Sequence, residues 1–315
     1  MQVILINLGI LIAGFVLLIK GADFFVKGAS TIARKFGVPQ IVIGLTVVAM
    51  GTSAPEAAVS ISAALSGSAD ITIGNVVGSN IVNIFVILGI TALVAPIAVD
   101  RSAIKVDIPF MLGISLLLLP MGLTHNIVNR WEGLLLLAIF AAYLIYLFRR
   151  AMKDSSDEDE RRPTYGQGNM WMIFWTLLGL AMIVFGSKCI VYGASEIALD
   201  LGVSQRMIAL TIVAFGTSLP ELVTSVTAAR RGNTGLAIGN IVGSNLFNIL
   251  FVTGLTAAIT PIAFRNAFII DTLIAAFAAL ILWLFALKSE RLGRISGIVM
   301  LCCYAAYFAF ILFLK

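Results

Sequence analysis

The sequence predicts an all-α polytopic membrane protein: ten transmembrane helices arranged as two inverted five-helix repeats. Three observations lead there. The 315 residues are 60% hydrophobic and only 12% charged, with a mean hydropathy of +1.05, which is too little polar surface to coat a soluble globule. Apolar runs of roughly 20 residues, the length that spans a bilayer, recur from one end of the chain to the other. Finally, the chain resembles itself: a shift of 165 positions lays residues 41–90 on 206–255 with 24 of 50 positions identical.

The runs fall at roughly 3–20, 40–65, 71–95, 104–123, 131–148, 169–192, 205–229, 235–259, 266–287 and 294–314. Helix is the assignment that satisfies the backbone in lipid, and the runs are too long for barrel strands. The first run, Val3 to Ile19, leads into a further helical pattern instead of a small-residue cleavage site, so it reads as a retained helix. The first and sixth runs continue in a mixed pattern to about Arg34 and Asp200, predicting two long, strongly tilted helices.

The internal match reaches back to Gly14/Gly179, Gly21/Gly186 and Gly28/Gly193, and forward to Pro96/Pro261. Residues 1–148 and 169–315 then hold five helices each, joined by a charged linker at 149–168. An odd number of spans forces the second copy to enter the membrane in the opposite direction. Transporters built this way keep their sites at the midplane between the halves. Asp154, Asp157, Glu158, Asp159 and Glu160 in the linker lack the glycine and ligand spacing of an EF-hand, so a solvated connection is expected there.

Charge sets the sidedness. Of the 21 basic residues, 16 lie in the odd-numbered connections, among them Lys20, Lys27, Arg34, Lys35, Arg101, Lys105, Arg149, Arg150, Arg230, Arg231, Lys288 and Arg294. Both termini are therefore expected outside the cytoplasm and the middle linker inside it, in a cytoplasmic membrane. The net charge of +5 follows this orientation pattern, and no nucleic-acid partner is expected. Cys189, Cys302 and Cys303 lie in apolar stretches without metal spacing, and a single histidine, His125, excludes paired-histidine zinc chemistry. No enzyme and no cofactor is expected.

Glu56 and Glu221 lie deep in their spans and are paired by the repeat, whereas Asp107 and Asp271 fall near helix starts. A carboxylate at the bilayer centre costs several kcal/mol and marks function. Each glutamate closes a longer motif, Ala49-Met50-Gly51-Thr52-Ser53-Ala54-Pro55-Glu56 and Ala214-Phe215-Gly216-Thr217-Ser218-Leu219-Pro220-Glu221. Pro55 and Pro220 have no N–H for the carbonyls of Gly51 and Gly216 four residues back, so a helix break is predicted at both places. Thr52 and Ser53 share the helix face of Glu56, as Thr217 and Ser218 share that of Glu221. The product is a set of hard oxygen donors around two negative charges, suited to Ca2+ or Na+ and not to a soft metal. The partner helices add Asn75, Ser79 and Asn83 at intervals of four, and likewise Asn240, Ser244 and Asn248. Glycine pairs four apart in the same segments permit close helix approach.

The paired GTSxPE segments, each followed by GNxVGSNxxN, resemble the two alpha repeats of the sodium/calcium exchanger branch of the calcium:cation antiporter superfamily, over nearly the whole chain. The resemblance implies that Glu56 and Glu221, with the backbone carbonyls of Thr52 and Thr217, hold Ca2+. It implies that Na+ uses the same glutamates with Ser53, Ser218, Ser79, Ser244 and the carbonyls of Ala49 and Ala214, and that Asn83 and Asn248 complete the central position. The potassium-dependent branch carries an essential Asp where Asn248 stands, so K+ co-transport is not expected. The middle linker is too short for the regulatory calcium-binding domains of animal exchangers, and that regulation is not expected either.

These features predict an alternating-access exchange of Na+ for Ca2+, with an oligomer not required for the site, and the resemblance implies an exchange ratio that moves net charge. A Ca2+/H+ antiporter of the same superfamily is the alternative, because glutamates also carry protons. A cation channel is a rival of a different class.

Overall fold

A computed structural model of the chain describes residues 2–66, 69, 71–156, 169–202, 214–265 and 267–313. The middle linker at 157–168 and the start of the seventh apolar run, 203–213, lie outside the described residues. Twelve helical segments carry the fold among those described. They are α1 (Gln2–Phe36), α2 (Gln40–Thr52), α3 (Ala54–Leu65), α4 (Ile71–Val94), α5 (Ile108–His125, preceded by a wide turn from Ala103), α6 (Arg130–Ser156), α7 (Asn169–Asp200), α8 (Ala214–Thr217), α9 (Leu219–Arg230), α10 (Thr234–Ile259), α11 (Ala267–Ser289) and α12 (Arg294–Phe313). Eight of the described helices are long and apolar enough to cross a membrane, and nine if α2 and α3 form one bent span. The helix expected to end at 148 instead continues to Ser156 as part of α6, so the predicted linker begins about two turns late.

Burial separates centre from periphery. The apolar window of α10 is 94% buried and that of α4 78%, against 22% for α1 and 17% for α12. The outward faces carry large apolar side chains such as Ile12, Phe15, Ile19, Leu177, Phe185 and Ile295, the surface that lipid solvates.

Helices α1 and α7 are 35 and 32 residues long, about 52 and 48 Å at 1.5 Å per residue. Both exceed a hydrocarbon core of about 30 Å, so the predicted length is met. They pack together along their whole extent, and the reason is glycine. Gly14 meets Gly186, Gly21 meets Gly179, and Gly193 meets the carbonyl of Asn7. A Cβ on Gly21 would stand 2.8 Å from the Gly179 carbonyl oxygen, so a side chain at these positions would force the helices apart. Partner numbers fall as those of α1 rise, which makes the two helices antiparallel.

Other contacts between the halves also come in pairs. Gly133 of α6 packs on Gly254 of α10, and Gly297 of α12 packs on Gly89 of α4. Two short antiparallel ladders join the connections: β1 (Ile97–Ala98) pairs with β4 (Arg291–Leu292), and β2 (Ile127–Val128) with β3 (Ile262–Ala263). Asn126 and Glu290, each immediately before one of these strands, adopt the left-handed conformation at φ 56° and 51°.

Candidate ion-binding site

The helix expected between 40 and 65 bends by 49° between α2 and α3. The turn is at Ser53, with φ −83° and ψ 7°, and its counterpart Ser218 between α8 and α9 has φ −90° and ψ 2°. Pro55 and Pro220 therefore do not kink a continuous helix. Each sits in the first turn of the segment after the break, where the missing N–H costs nothing. The carbonyl that Pro220 leaves without a helical donor is met from α7: Ser187 Oγ donates to Gly216 O at 2.7 Å.

The breaks place Glu56 and Glu221 in the first turns of α3 and α9, both 1% exposed. Each carboxylate is held by hydroxyls of the opposite half. Ser53 Oγ donates to Glu221 Oε1 at 2.8 Å, and Ser218 Oγ to Glu56 Oε1 at 3.5 Å. Thr52 Oγ1 donates to Asn240 Oδ1 at 3.0 Å, tying the broken helix of one half to α10 of the other. Asn75 on α4 donates to Glu56 O at 3.2 Å and to Ser60 Oγ at 2.9 Å. Asn240 on α10 does the same to Glu221 O at 3.4 Å and Ser225 Oγ at 2.9 Å. These two asparagines therefore fix the segments that carry the glutamates.

Helices α4 and α10 meet through four further amides. Asn80 Nδ2 donates to Asn245 O at 3.2 Å and Asn245 Nδ2 to Asn80 O at 3.3 Å. Asn83 Nδ2 donates to Asn245 Oδ1 at 2.9 Å and Asn248 Nδ2 to Asn80 Oδ1 at 3.2 Å. Asn83 and Asn248 each open a stretch of π-helix, Asn83–Leu88 and Asn248–Thr253, a wide turn that recurs at functional sites. Thr253 Oγ1 donates to Asn248 O at 3.2 Å within that turn.

These bonds leave a matched remainder. Among the described residues Glu56 Oε2, Glu221 Oε2, Asn83 Oδ1 and Asn248 Oδ1 are buried acceptors with no hydrogen-bond partner, and the hydroxyls of Ser195, Thr224, Ser244 and Thr256 are the other unpartnered buried oxygens. Buried polar atoms normally find a partner, and each one that does not calls for an explanation such as an ion. Among the described residues no cluster of three His, Cys, Asp or Glu side chains exists, so the donor set is two carboxylates among neutral oxygens. Such a set fits a hard cation.

The structure thus brings Glu56, Glu221, Thr52, Thr217, Ser53 and Ser218 together, with Asn83 and Asn248 in the adjoining amide network. Ser79 and Ser244 are buried on α4 and α10, and Ala49 is buried on α2; Ala214 opens α8. Spacing does not single out Asn80 and Asn245, because they fall off the interval-of-four stripe of Asn75, Ser79 and Asn83. The signal that could find them is identity in both copies. Asp107 falls near a helix start in the sequence, yet it is wholly buried, with Arg150 Nη1 3.0 Å from Oδ2 and Tyr143 Oη donating to Oδ1 at 3.1 Å.

Comparison with known proteins now decides the family. The model of the family described as "Sodium/calcium exchanger protein" matches residues 6–149 and 171–313. The chain belongs to the sodium/calcium exchanger family. It is 40% identical over 313 residues to CaxA of Alkalimonas amylolytica, named as a candidate antiporter, covering 94% of this chain and 95% of that one. It is 35% identical to the sodium/calcium exchanger MaX1 of Methanosarcina acetivorans, over 96% of this chain and 98% of the relative. A solved structure of the sodium-calcium exchanger NCX_Mj, soaked without Na+ or Ca2+, superposes with a TM-score of 0.87 at 33% identity, covering 98% and 99% of the two chains. This family member is accordingly a multi-pass membrane transporter of the cation/Ca2+ antiporter kind.

Proposed function

We propose that this chain exchanges Na+ for Ca2+ across a cytoplasmic membrane by alternating access, at one site shared between its halves. The observation that carries the proposal is the matched set of unpartnered buried acceptors on Glu56, Glu221, Asn83 and Asn248. Ca2+ binds the two glutamates and the carbonyls of Thr52 and Thr217. Na+ ions bind the same glutamates with Ser53, Ser79, Ser218 and Ser244 and the carbonyls of Ala49 and Ala214. Two fixed negative charges are neutralised by one Ca2+ or by several Na+, and an empty, doubly charged site does not cross the membrane. Competition for shared oxygens then couples the two fluxes. Transport is electrogenic, and an amide at Asn248 in place of a carboxylate makes it independent of K+.

The architecture proposed with it is ten helices in two inverted repeats, 1–148 and 169–315, with both termini outside and the linker inside. The antiparallel packing of α1 on α7 supports this, because equivalent helices of inverted copies run in opposite directions. So does the appearance of the Ser–Glu, Asn–Ser and Asn–Asn contacts once from each half.

The test is radiolabelled Ca2+ uptake into proteoliposomes loaded with Na+, against liposomes loaded with K+ or choline and liposomes carrying only a pH gradient. Uptake that requires internal Na+ is expected. Uptake driven by the pH gradient alone would assign H+ as the counter-ion, and flux without any counter-ion would make the protein a channel.

A further inference from the structure

The glycine seam between α1 and α7 ends at Gly28, which packs against Thr176. Around it the two helices leave a cavity of about 270 Å³ at their surface, lined by Phe24, Lys27, Gly28 and Thr31 of α1 and by Trp171, Met172 and Trp175 of α7. Phe24 and Trp175 pack at 4.7 Å between ring centroids, and Trp171 meets Trp175 edge-on at 5.4 Å. The polar contribution narrows to one group. The Thr31 hydroxyl is turned back onto Lys27 O at 2.7 Å, and the nearby Asp23 is taken by Arg231 at 2.7 Å. The exposed Lys27 ammonium therefore has no ion-pair partner among the described residues.

Where Phe24, Lys27 and Thr31 stand in one half, the repeat places Cys189, Tyr192 and Glu196, and where Trp171 and Trp175 stand it places Ile6 and Ile10. The seam glycines are kept in both copies, so the packing is duplicated and the aromatic, cationic pocket is not. Tryptophan belongs at the headgroup level of a bilayer, and a lysine stem reaches from apolar surroundings to that level. The basic connections place this end of the pair on the side where the leaflet is anionic. The backbone N–H groups that open α7 at Asn169 add positive potential at the same level.

We propose that this pocket binds the headgroup of an anionic phospholipid of the cytoplasmic leaflet, with Lys27 on the phosphate and Trp171 and Trp175 flanking the glycerol and upper acyl chain. The inference rests on the membrane orientation proposed above and not on which ions are exchanged. A lipid seated there braces the ends of the two longest helices.

The test is a binding measurement on the full chain, independent of transport. With Trp131→Phe and Trp283→Phe, Trp171 and Trp175 are the remaining tryptophans, and excitation at the red edge, where tyrosine does not absorb, reads them alone. In phosphatidylcholine vesicles, brominated phosphatidylglycerol is expected to quench them at about five-fold lower mole fraction than brominated phosphatidylcholine, the effect of one basic residue near an anionic surface. Lys27→Gln is expected to erase that difference, while Arg294→Gln at another connection leaves it intact. Equal quenching by the two lipids, or an undiminished preference in Lys27→Gln, would overturn the proposal. Relief of quenching by inorganic phosphate would replace it with a free-phosphate site. Should the Trp283→Phe variant fold poorly, native mass spectrometry of the unsubstituted chain and of Lys27→Gln reads the same preference as retained phosphatidylglycerol, and equal retention by the two would overturn the proposal.

Discussion

At the scale of single residues, the two glutamates are held differently from ordinary buried acids. Each has one carboxylate oxygen engaged by a serine of the opposite half and the other oxygen left over. That division orients the carboxylate without saturating it. Glu56→Gln keeps shape and volume but removes a charge and, on the proposed function, a cation ligand. Loss of a residue that merely orients a ligand costs about 10–100-fold in metal affinity, so loss of the ligand itself is expected to cut Ca2+ uptake by about 100-fold or more. Size-exclusion chromatography should show an unchanged folded particle; retained uptake would sink the site assignment. Ser187 is a separate case, because its hydroxyl serves the helix break by donating to Gly216 O. Ser187→Ala strands that carbonyl and is expected to cost about 1–3 kcal/mol, read as a lowered midpoint of thermal unfolding in detergent.

At the scale of elements, two features decide whether helices stay in register. The first is the small-residue seam of α1 and α7. Gly179 lies so close to α1 that an added Cβ would stand 2.5 Å from the Phe25 nitrogen, so no rotamer of a larger residue fits. Gly179→Val is expected to destabilise by about 1–3 kcal/mol through overpacking and to slow transport more than it reduces yield, as uptake per folded protein would show. The second is the ion pair of Asp107 and Arg150, with side chains 0% and 12% exposed. Ser102 Oγ also meets the Arg150 guanidinium. Arg150→Met leaves Asp107 buried without a counter-charge, a loss expected at about 3–5 kcal/mol. Adding Asp107→Asn should recover much of it; a double variant as unstable as the single one would refute the charge argument. The equivalent Asp271 bonds Tyr307 at 2.8 Å, so the aspartate–tyrosine pair is repeated and the arginine is not.

At the scale of the whole molecule, the broken helices and the amide network form one unit, and α1 with α7 forms another packed against it. We propose that alternating access moves the long pair relative to the rest, an idea motivated by its length and its glycine seam. The exposed Asp23–Arg231 ion pair joins α1 to the connection between α9 and α10. A bifunctional maleimide with a cleavable spacer across Asp23→Cys and Arg231→Cys is expected to arrest uptake until the spacer is cut. Full activity of the cross-linked protein would count against sliding. The proposed exchange of several Na+ for one Ca2+ would also move charge, worth about 2.3 kcal/mol per charge per 100 mV. When internal Na+ drives Ca2+ uptake, net positive charge leaves the vesicle. An imposed inside-positive potential is therefore expected to quicken uptake and an inside-negative one to slow it; uptake indifferent to voltage would make the exchange electroneutral.

Much of this is legible in the chain itself. Apolar runs are dictated by the solvent, since lipid leaves the backbone no option but helix; the runs at 71–95, 235–259 and 294–314 match described helices closely, whereas those at 40–65 and 131–148 are respectively broken at Ser53 and continued to Ser156. The duplicated motifs single out Glu56, Glu221 and their serines because a charged residue deep in a span is rarely there for packing alone. What only tertiary structure decided was which oxygens are engaged and which are left bare. Asn80 and Asn245 lie off the stripe that spacing picks out, yet they accept from the amides of Asn83 and Asn248 and leave the oxygens of those two without partners. Asp107 reads in the sequence as a residue near a helix start, and there it is buried, its carboxylate met by Arg150 from the part of α6 that runs past its expected end. Local pattern reports the environment a residue needs, whereas the partner that satisfies it comes from a distant segment, and hydrogen-bond saturation is settled only once those segments pack.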